Sequence, residues 1–424
     1  DVWILTADGR RLVPSRAPHA DQFLEMSERL AVRTEVADGG LRLTTRAAVE
    51  IDGDLPMCRL EATATADAPA WLAFVLRPYN PEGVIFVNQI DLEPTSQAWT
   101  VNGESLVEFS SPLERHALSA YRAGDVLDRL PGGTEDRSIQ CEAGLATAAA
   151  LFELQPDRPR RFDIQVAVPE EWEETRPAVS LRKNLSWNEV LEDGCRLNVP
   201  DKRVQFLYDV ALRSVILHSC GDAYPGPYTY KRFWFRDAAF ILHSLLCMGF
   251  IERAERVLDQ YPERQDSSGF FRSQEGEWDS NGEALWILRR WCELTGRPPK
   301  PAWRDAVLRG AEWIDRKRLR GGKDSPFAGL FPAGFSAEHL GPNDYYYWDN
   351  FWGVEGLQSA AWMAEQYGDR ERADQYRRWA RNFMETIERT LSRARERLGR
   401  SAMPAAPLRR LDSGAVGSLA GLSQ

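Results

Sequence analysis

The chain has 424 residues, 43% hydrophobic and 27% charged, with a net charge of -10. That length exceeds one ordinary hydrophobic core, so two domains are expected. No basic stripe offsets the negative charge, which argues against a nucleic-acid or anionic-membrane surface, and no apolar run is long enough to span a bilayer.

Residues 1–169 change character every eight to twelve positions. Leu41-Arg-Leu-Thr-Thr-Arg, Cys58-Arg-Leu-Glu-Ala-Thr, Trp71-Leu-Ala-Phe-Val-Leu, Val84-Ile-Phe-Val-Asn-Gln-Ile and Phe162-Asp-Ile-Gln-Val-Ala-Val all read as strands punctuated by Gly, Pro, Asn and Asp. Several alternate apolar with polar, as antiparallel strands with one wet face do, and an antiparallel β-sandwich is predicted. Residues 170–202 read as a packed linker holding Trp172 and Trp187. Both rings are expected to be buried and to pack the sandwich onto the helical half.

From 203 to 424 the period becomes 3.6. Helices are predicted at 203–219, 237–249, 251–262, 281–295, 303–318, 348–367 and 370–398, with another at 413–422. Gly249, Gly296 and Gly368 supply stop signals. Of the 15 tryptophans, ten lie between 234 and 379. Trp286, Trp291, Trp313 and Trp362 sit within apolar helical stretches and read as core. Trp234, Trp278, Trp348 and Trp352 stand at helix junctions that also carry acids.

Three junctions hold the chemistry. The first is Tyr230-Lys-Arg-Phe-Trp234-Phe-Arg236-Asp237, at the mouth of an apolar helix. A guanidinium fork and a carboxylate can each bond neighbouring sugar hydroxyls while aromatics supply a flat floor; a buried ion pair at a helix start would use the same residues. The second is Glu277-Trp278-Asp279-Ser280-Asn281-Gly282-Glu283, where capping accounts for one polar residue but not for the tryptophan and two glutamates. The third runs from Phe335 to Trp352. Its eighteen residues hold Glu338, Asp344 and Asp349, the tyrosines 345–347, Trp348 and Trp352. Gly341-Pro342-Asn343 sets Asp344 on a turn before a helix, and a carboxyl ringed by aromatics there suits a general acid. Asp349 is expected to cap or orient at the start of that helix.

With these junctions the helical half resembles the six-hairpin (α/α)6 glycosidases: the glucoamylase family, the glycogen-debranching enzymes, and the maltose and kojibiose phosphorylases. Trp234-Phe-Arg236-Asp237 looks like the Trp-x-Arg-Asp element of glucoamylases, whose Arg and Asp hold the non-reducing sugar. Gly341-Pro342-Asn343-Asp344-Tyr345 followed by Asp349-Asn350 is similar to the Gly-Pro-Asp-Glu-Tyr…Asp-Asn stretch of the phosphorylases. The glutamate there is the general acid and corresponds to Asp344; Glu338, in the same loop, is the substitute.

The resemblance implies a β-sandwich leading into a helical-hairpin toroid, incomplete in this chain because seven or eight helical patterns fall short of six pairs. It implies inverting hydrolysis of α-linked oligosaccharide or glucan ends, with Trp234, Arg236, Asp237 and Trp278 gripping the terminal sugar. Asp279, Tyr345, Trp348 and Asp349 complete the binding set, and the general base is expected beyond Gln424. Inverting phosphorolysis, or sugar binding without turnover, are the alternatives.

No cofactor or metal is implied, since the five histidines form no ligand array. The six cysteines show no paired spacing, and Cys247 and Cys292 are expected as reduced, buried thiols. That usage leans cytoplasmic, although a chain beginning at Asp1 leaves room for a removed leader.

Overall fold

Two large antiparallel sheets and a two-stranded one form within residues 1–167. A computed structural model describes residues 1–27, 29–52, 55–80, 83–167, 186–227, 230–322, 325–335, 341–412 and 415. The chain divides into two units, Asp1–Glu192 and Asp193–Gln424.

In the first unit, a five-stranded sheet runs in the spatial order Arg115–Ser119, Thr147–Leu154, Ala70–Leu76, Val2–Thr6, Arg11–Leu12. A nine-stranded sheet contains Leu30–Asp38, Leu41–Asp52, Leu55–Thr65 and Arg160–Ala167 as neighbours. Their facing side chains form one core: Ile4, Leu72, Phe74 and Phe152 from the first sheet, and Leu43, Ala62, Trp99, Phe109 and Phe162 from the second. The smaller sheet is buried on its other face too. There Trp3, Leu5, Val75 and Leu151 pack against Val126, Leu127 and Leu130. Burial on both faces explains why Val2–Leu5 and Ala148–Phe152 are continuously apolar, whereas Leu41-Arg-Leu-Thr alternates.

The strand expected from Val84 to Ile90 is broken. It resolves into Gly83–Val84 and Gln89–Leu92, and Ile85 and Phe86 between them are exposed. Asn102 interrupts the run, its side-chain amide donating to the Phe86 carbonyl and its oxygen accepting from the Asn88 and Gln89 N–H groups. Of the predicted linker, Trp172 lies outside the described residues. Trp187 opens the one-turn helix α1 (Trp187–Val190), where a Ser186–Glu189 capping box starts the turn, and the ring is half-buried.

The second unit contains α2 (Lys202–Leu217), α3 (Phe235–Cys247), α4 (Ile251–Leu258), the short α5 (Tyr261–Arg264), α6 (Ser280–Thr295), α7 (Arg304–Lys317), α8 (Tyr347–Gln366) and α9 (Arg370–Leu398). Gly249, Gly296 and Gly368 each take positive φ, the conformation for which glycine stops a helix. Helices α3, α6 and α8 run parallel: residues of their first turns meet one another, as do residues of their later turns. Helices α4, α7 and α9 return between them as hairpin partners. The described helices form no closed ring, and the helix predicted at 413–422 falls almost wholly outside the described residues.

α6 and α8 cross backbone to backbone. A Cβ on Gly356 would lie 2.7 Å from Gly282 Cα, and one on Gly282 would overlap the Trp352 carbonyl. Only hydrogen at both positions permits that approach.

All six cysteines are free, and Cys292 is buried as expected. Cys247 is exposed instead, because it falls in the last turn of α3 on the side away from Leu245 and Leu246. No described helix is long and apolar enough to cross a membrane.

Candidate active site

The three junctions meet at the N-terminal ends of α3, α6 and α8. Asp279 joins them. Its Oδ2 accepts from Arg236 Nε at 2.6 Å and from the Trp348 indole N–H at 2.7 Å, linking the first turns of all three helices through one atom. Arg236 Nη1 also lies 3.8 Å from Glu277 Oε1, which accepts from Gln274 at 2.9 Å.

Each helix brings an acid into its first turn: Asp237 on α3, Glu283 on α6 and Asp349 on α8. The positive ends of the helix dipoles favour carboxylates there. They do not outweigh burial. Arg236 faces Glu277, Asp279, Glu283 and Asp349, all of which are buried, and Arg232 also acts on Glu277. Burial pushes the Glu277 carboxyl up to about 7, helped by Asp279 and Asp237 and opposed by Arg236. Burial, then Asp279, also pushes Glu283 and Asp349 well above the usual carboxylate range. Among the described residues neither oxygen of Glu283 has a hydrogen-bond partner, in keeping with a carboxyl that holds its proton. Burial opposes the charge on the Arg236 guanidinium, but Asp279, Glu283 and Glu277 outweigh it, push the group up and keep it charged.

Two asparagines fix the loops above these ends in the same way. Asn281 Oδ1 accepts from the Phe271 N–H at 2.8 Å, and Asn350 Oδ1 accepts from the Phe331 N–H at 2.9 Å. In the first junction, Ser273 Oγ accepts from the Phe235 N–H at 2.8 Å. Phe335 N–H to the Gly276 carbonyl (2.9 Å) joins the third junction to the second, and the paired backbone bonds of Gly334 with Asp344 close the third loop on itself.

Trp234 and Trp348 are half-buried, and the Arg232 guanidinium stands 4.8 Å from the Trp234 ring. Trp278 is only 4% exposed: Phe270 packs against it, and Lys317 Nζ sits 3.6 Å from its ring centroid. Trp352 is likewise buried. Asp279 occupies the N-cap position of α6 but caps no backbone N–H; its Oδ2 holds Arg236 and Trp348 instead.

Asp349, expected to cap or orient at the start of α8, does not cap it. Tyr346 takes that position, and Asp349 lies inside the first turn of α8 at 1% exposure. Asp344 is half-buried on its turn, with Oδ1 accepting from the Tyr345 N–H at 2.8 Å. Tyr345 stacks on Phe327 at 3.8 Å, Tyr346 donates to the Pro342 carbonyl, and Tyr347 donates to Thr390. Thus the tyrosine triplet anchors the loop in three directions. Glu338 lies outside the described residues.

Glu277 and Glu283 stand out in the sequence as unexplained by capping, but the sequence assigns them no role. The signal is the excess of acids over bases in an otherwise aromatic junction. Only the fold reveals that they share one arginine with Asp279 and Asp349.

No family model matches the sequence, and no curated protein matches it. In structure, the chain is similar to a bacterial glucoamylase complexed with acarbose, with 14% identity, 93% of this chain and 61% of that chain covered, and a TM-score of 0.61. A protein described as a kojibiose phosphorylase from the human microbiome stands at 8% identity, 89% and 59% coverage and a TM-score of 0.46. A GH78-family rhamnosidase of Bacillus sp. GL1 stands at 13%, 81% and 33%, and 0.39. The chain thus spans 61% of the glucoamylase's length and shares its fold, with strands leading and helical hairpins after them. The resemblance drawn from the junctions to six-hairpin glycosidases holds at that level.

Proposed function

We propose that the helical unit grips the terminal unit of an α-linked oligosaccharide or glucan and hydrolyses its glycosidic bond with inversion. The observation that carries this reading is the convergence on Asp279. Arg236 and Trp348, from separate junctions, are held by one carboxylate at the shared end of three parallel helices. A guanidinium fixed in this way keeps a set orientation toward that end, and a half-buried indole beside it offers an apolar face for a sugar ring. The glucoamylase with acarbose bound has the same fold, which supports a carbohydrate ligand here.

In this reading Trp234, Arg236 and Asp237 hold the terminal sugar, Trp348 and Tyr345 line its path, and Asp279 and Asp349 orient the grip from below. Trp278 supports the wall. Asp344 donates the proton to the leaving oxygen, with Glu338 as its competitor. Glu277, carrying a proton to about pH 7 beside Arg236, is a third donor with a specific observation in its favour. Inversion needs a second carboxylate about 6.5–9.5 Å from the acid, with water between them. Phosphorolysis would place phosphate where that water attacks.

The test uses full-length protein and two substrates, one needing acid assistance and one activated aryl glycoside, with and without phosphate. Asp344→Asn is expected to lower kcat by about 10²–10⁴-fold on the first and much less on the second. Equal losses on both substrates make Asp344 structural. A selective loss confined to Glu338→Gln or to Glu277→Gln moves the acid there, and sugar binding without turnover in the intact protein leaves a binding module.

A further inference from the structure

The inner face of α3, α6 and α8 continues beyond the carboxyl cluster at helical spacing. Next comes an aromatic tier of Phe240, Trp286 and Trp352, with ring centroids 6.1, 6.0 and 5.5 Å apart. Below it opens a cavity of about 380 Å³ lined by His243, Trp286, Arg289, Arg290, Glu293, Glu355 and Gln358. Glu293 lies ten residues after Glu283, which at 1.5 Å per residue puts the cavity about 15 Å along the helices from the cluster.

We infer that this cavity is a second ligand site, taking a neutral polyhydroxylated ligand of the size of a glycosyl unit. Its volume falls in the range of about 300–1,000 Å³ typical of small-molecule sites. Its charges are already matched. Glu293 holds Arg289 at 2.7 Å and Arg290 at 2.6 Å, while Glu355 stands 3.7 Å from Arg289. Two guanidiniums against two carboxylates leave no surplus cation to draw a phosphate.

The pairs nonetheless leave capacity, because a guanidinium has five N–H donors and a carboxylate about four acceptor positions. They also fix each other's orientation. A hydrogen bond from Ser359 Oγ at 2.8 Å also holds Glu355. Donors and acceptors held in place before a ligand arrives cost less ordering on binding. Gln358 adds an exposed amide that both donates and accepts. His243, kept neutral by burial and by Arg290, adds an imidazole that can do the same. Trp286 supplies the apolar face. Alternating hydroxyls on a flat C–H surface match such a lining; a purely apolar or an anionic ligand would not.

This site shares no residue with the grip at Arg236, so either can stand without the other. Calorimetry and tryptophan fluorescence on the full chain, with glucose, maltose and inorganic phosphate as probes, test it. Gln358→Ala and Arg290→Ala are expected to weaken one class of glucose or maltose binding by about tenfold, the scale of one lost hydrogen bond. Arg236→Lys should leave that class unchanged. Gln358 is exposed, so its replacement keeps the fold. Glucose and maltose binding untouched by either cavity variant overturns the site, as does phosphate binding tighter than glucose. Self-association that buries this face and is insensitive to sugar also overturns it, because a helix of a second copy would then be the occupant.

Discussion

Arginine meets carboxylate in two settings in this molecule. On the face of the nine-stranded sheet away from its core, Arg46, Arg59 and Arg161 pair with Glu25, Glu50, Glu61 and Asp163, and these side chains keep between 22% and 59% of their surface. At the ends of α3, α6 and α8, Arg236 keeps 16%, Glu277 5% and Asp279 1%. The sheet balances its charges in water; the helix ends gather carboxyls around one cation away from it. In water the charges are screened and each pair matters little. In the dry setting the excess acid must hold protons, and that is the setting in which perturbed groups gather at functional sites.

The sharpest way to break the contrast is to remove the cation. Arg236→Ala leaves Asp279 and Glu277 buried without their partner, and such a loss costs about 3–5 kcal/mol. Urea denaturation is expected to report that range near pH 8. The cost should shrink near pH 5, where the stranded carboxyls can take up protons. An equal cost at both pH values would mean that packing, and not charge, holds Arg236.

A geometric break acts at a smaller scale. The convergence on Asp279 depends on α6 and α8 crossing at Gly282 and Gly356. Gly282→Ala pushes a methyl group into the Trp352 carbonyl, and overpacking of this kind costs about 1–3 kcal/mol. The indole of Trp348 should withdraw from Asp279 at the same time, visible as a shift in tryptophan emission. An unshifted spectrum would show that the helices accommodate the methyl elsewhere.

The fold was legible because its periods are long and clean. Six of the seven helices predicted from 203 to 398 correspond to long helices of the second unit, whereas 251–262 splits into the shorter α4 and α5. The helix ends were legible from Gly249, Gly296 and Gly368. Less visible was which junction residues face one another. Trp278 and Trp348 each stand directly before an aspartate, yet one is buried under Lys317 and the other donates to Asp279. That difference is set by the α6–α8 crossing, a tertiary fact carried by two glycines. Asp349 reads as a cap because aspartate favours that position, but the cap position of α8 falls three residues earlier, at Tyr346.

Titration probes the dry setting directly. Glu277 is pushed up to about 7 in the folded chain, against about 4.5 for an ordinary glutamate, and Glu283 and Asp349 are raised as well. Between those limits the native state binds more protons than the unfolded chain, so stability falls as pH rises through that window. Glu277→Gln keeps the shape and removes the titration. Its denaturation midpoint should therefore fall less steeply between pH 4.5 and 7 than that of the parent. Parallel slopes would put the titrating group elsewhere.

The smallest effect is expected on the wet side, and it decides whether burial or mere pairing separates the two regions. Arg161 stands 2.9 Å from Glu61, a distance close to that of Arg236 from Asp279, but it keeps 59% of its side-chain surface. Water solvates the guanidinium once the partner is gone, and fixing two long side chains costs rotamer entropy that offsets the attraction. Arg161→Ala should therefore cost about 0.2–1 kcal/mol, and a double-mutant cycle with Glu61→Ala should give a coupling in the same range that fades with added salt. At Arg236 salt should change little, because the pair is shielded from ions. A coupling of several kcal/mol at Arg161 would mean that geometry alone makes these pairs strong, and the dry cluster would then lose its claim to be electrostatically special.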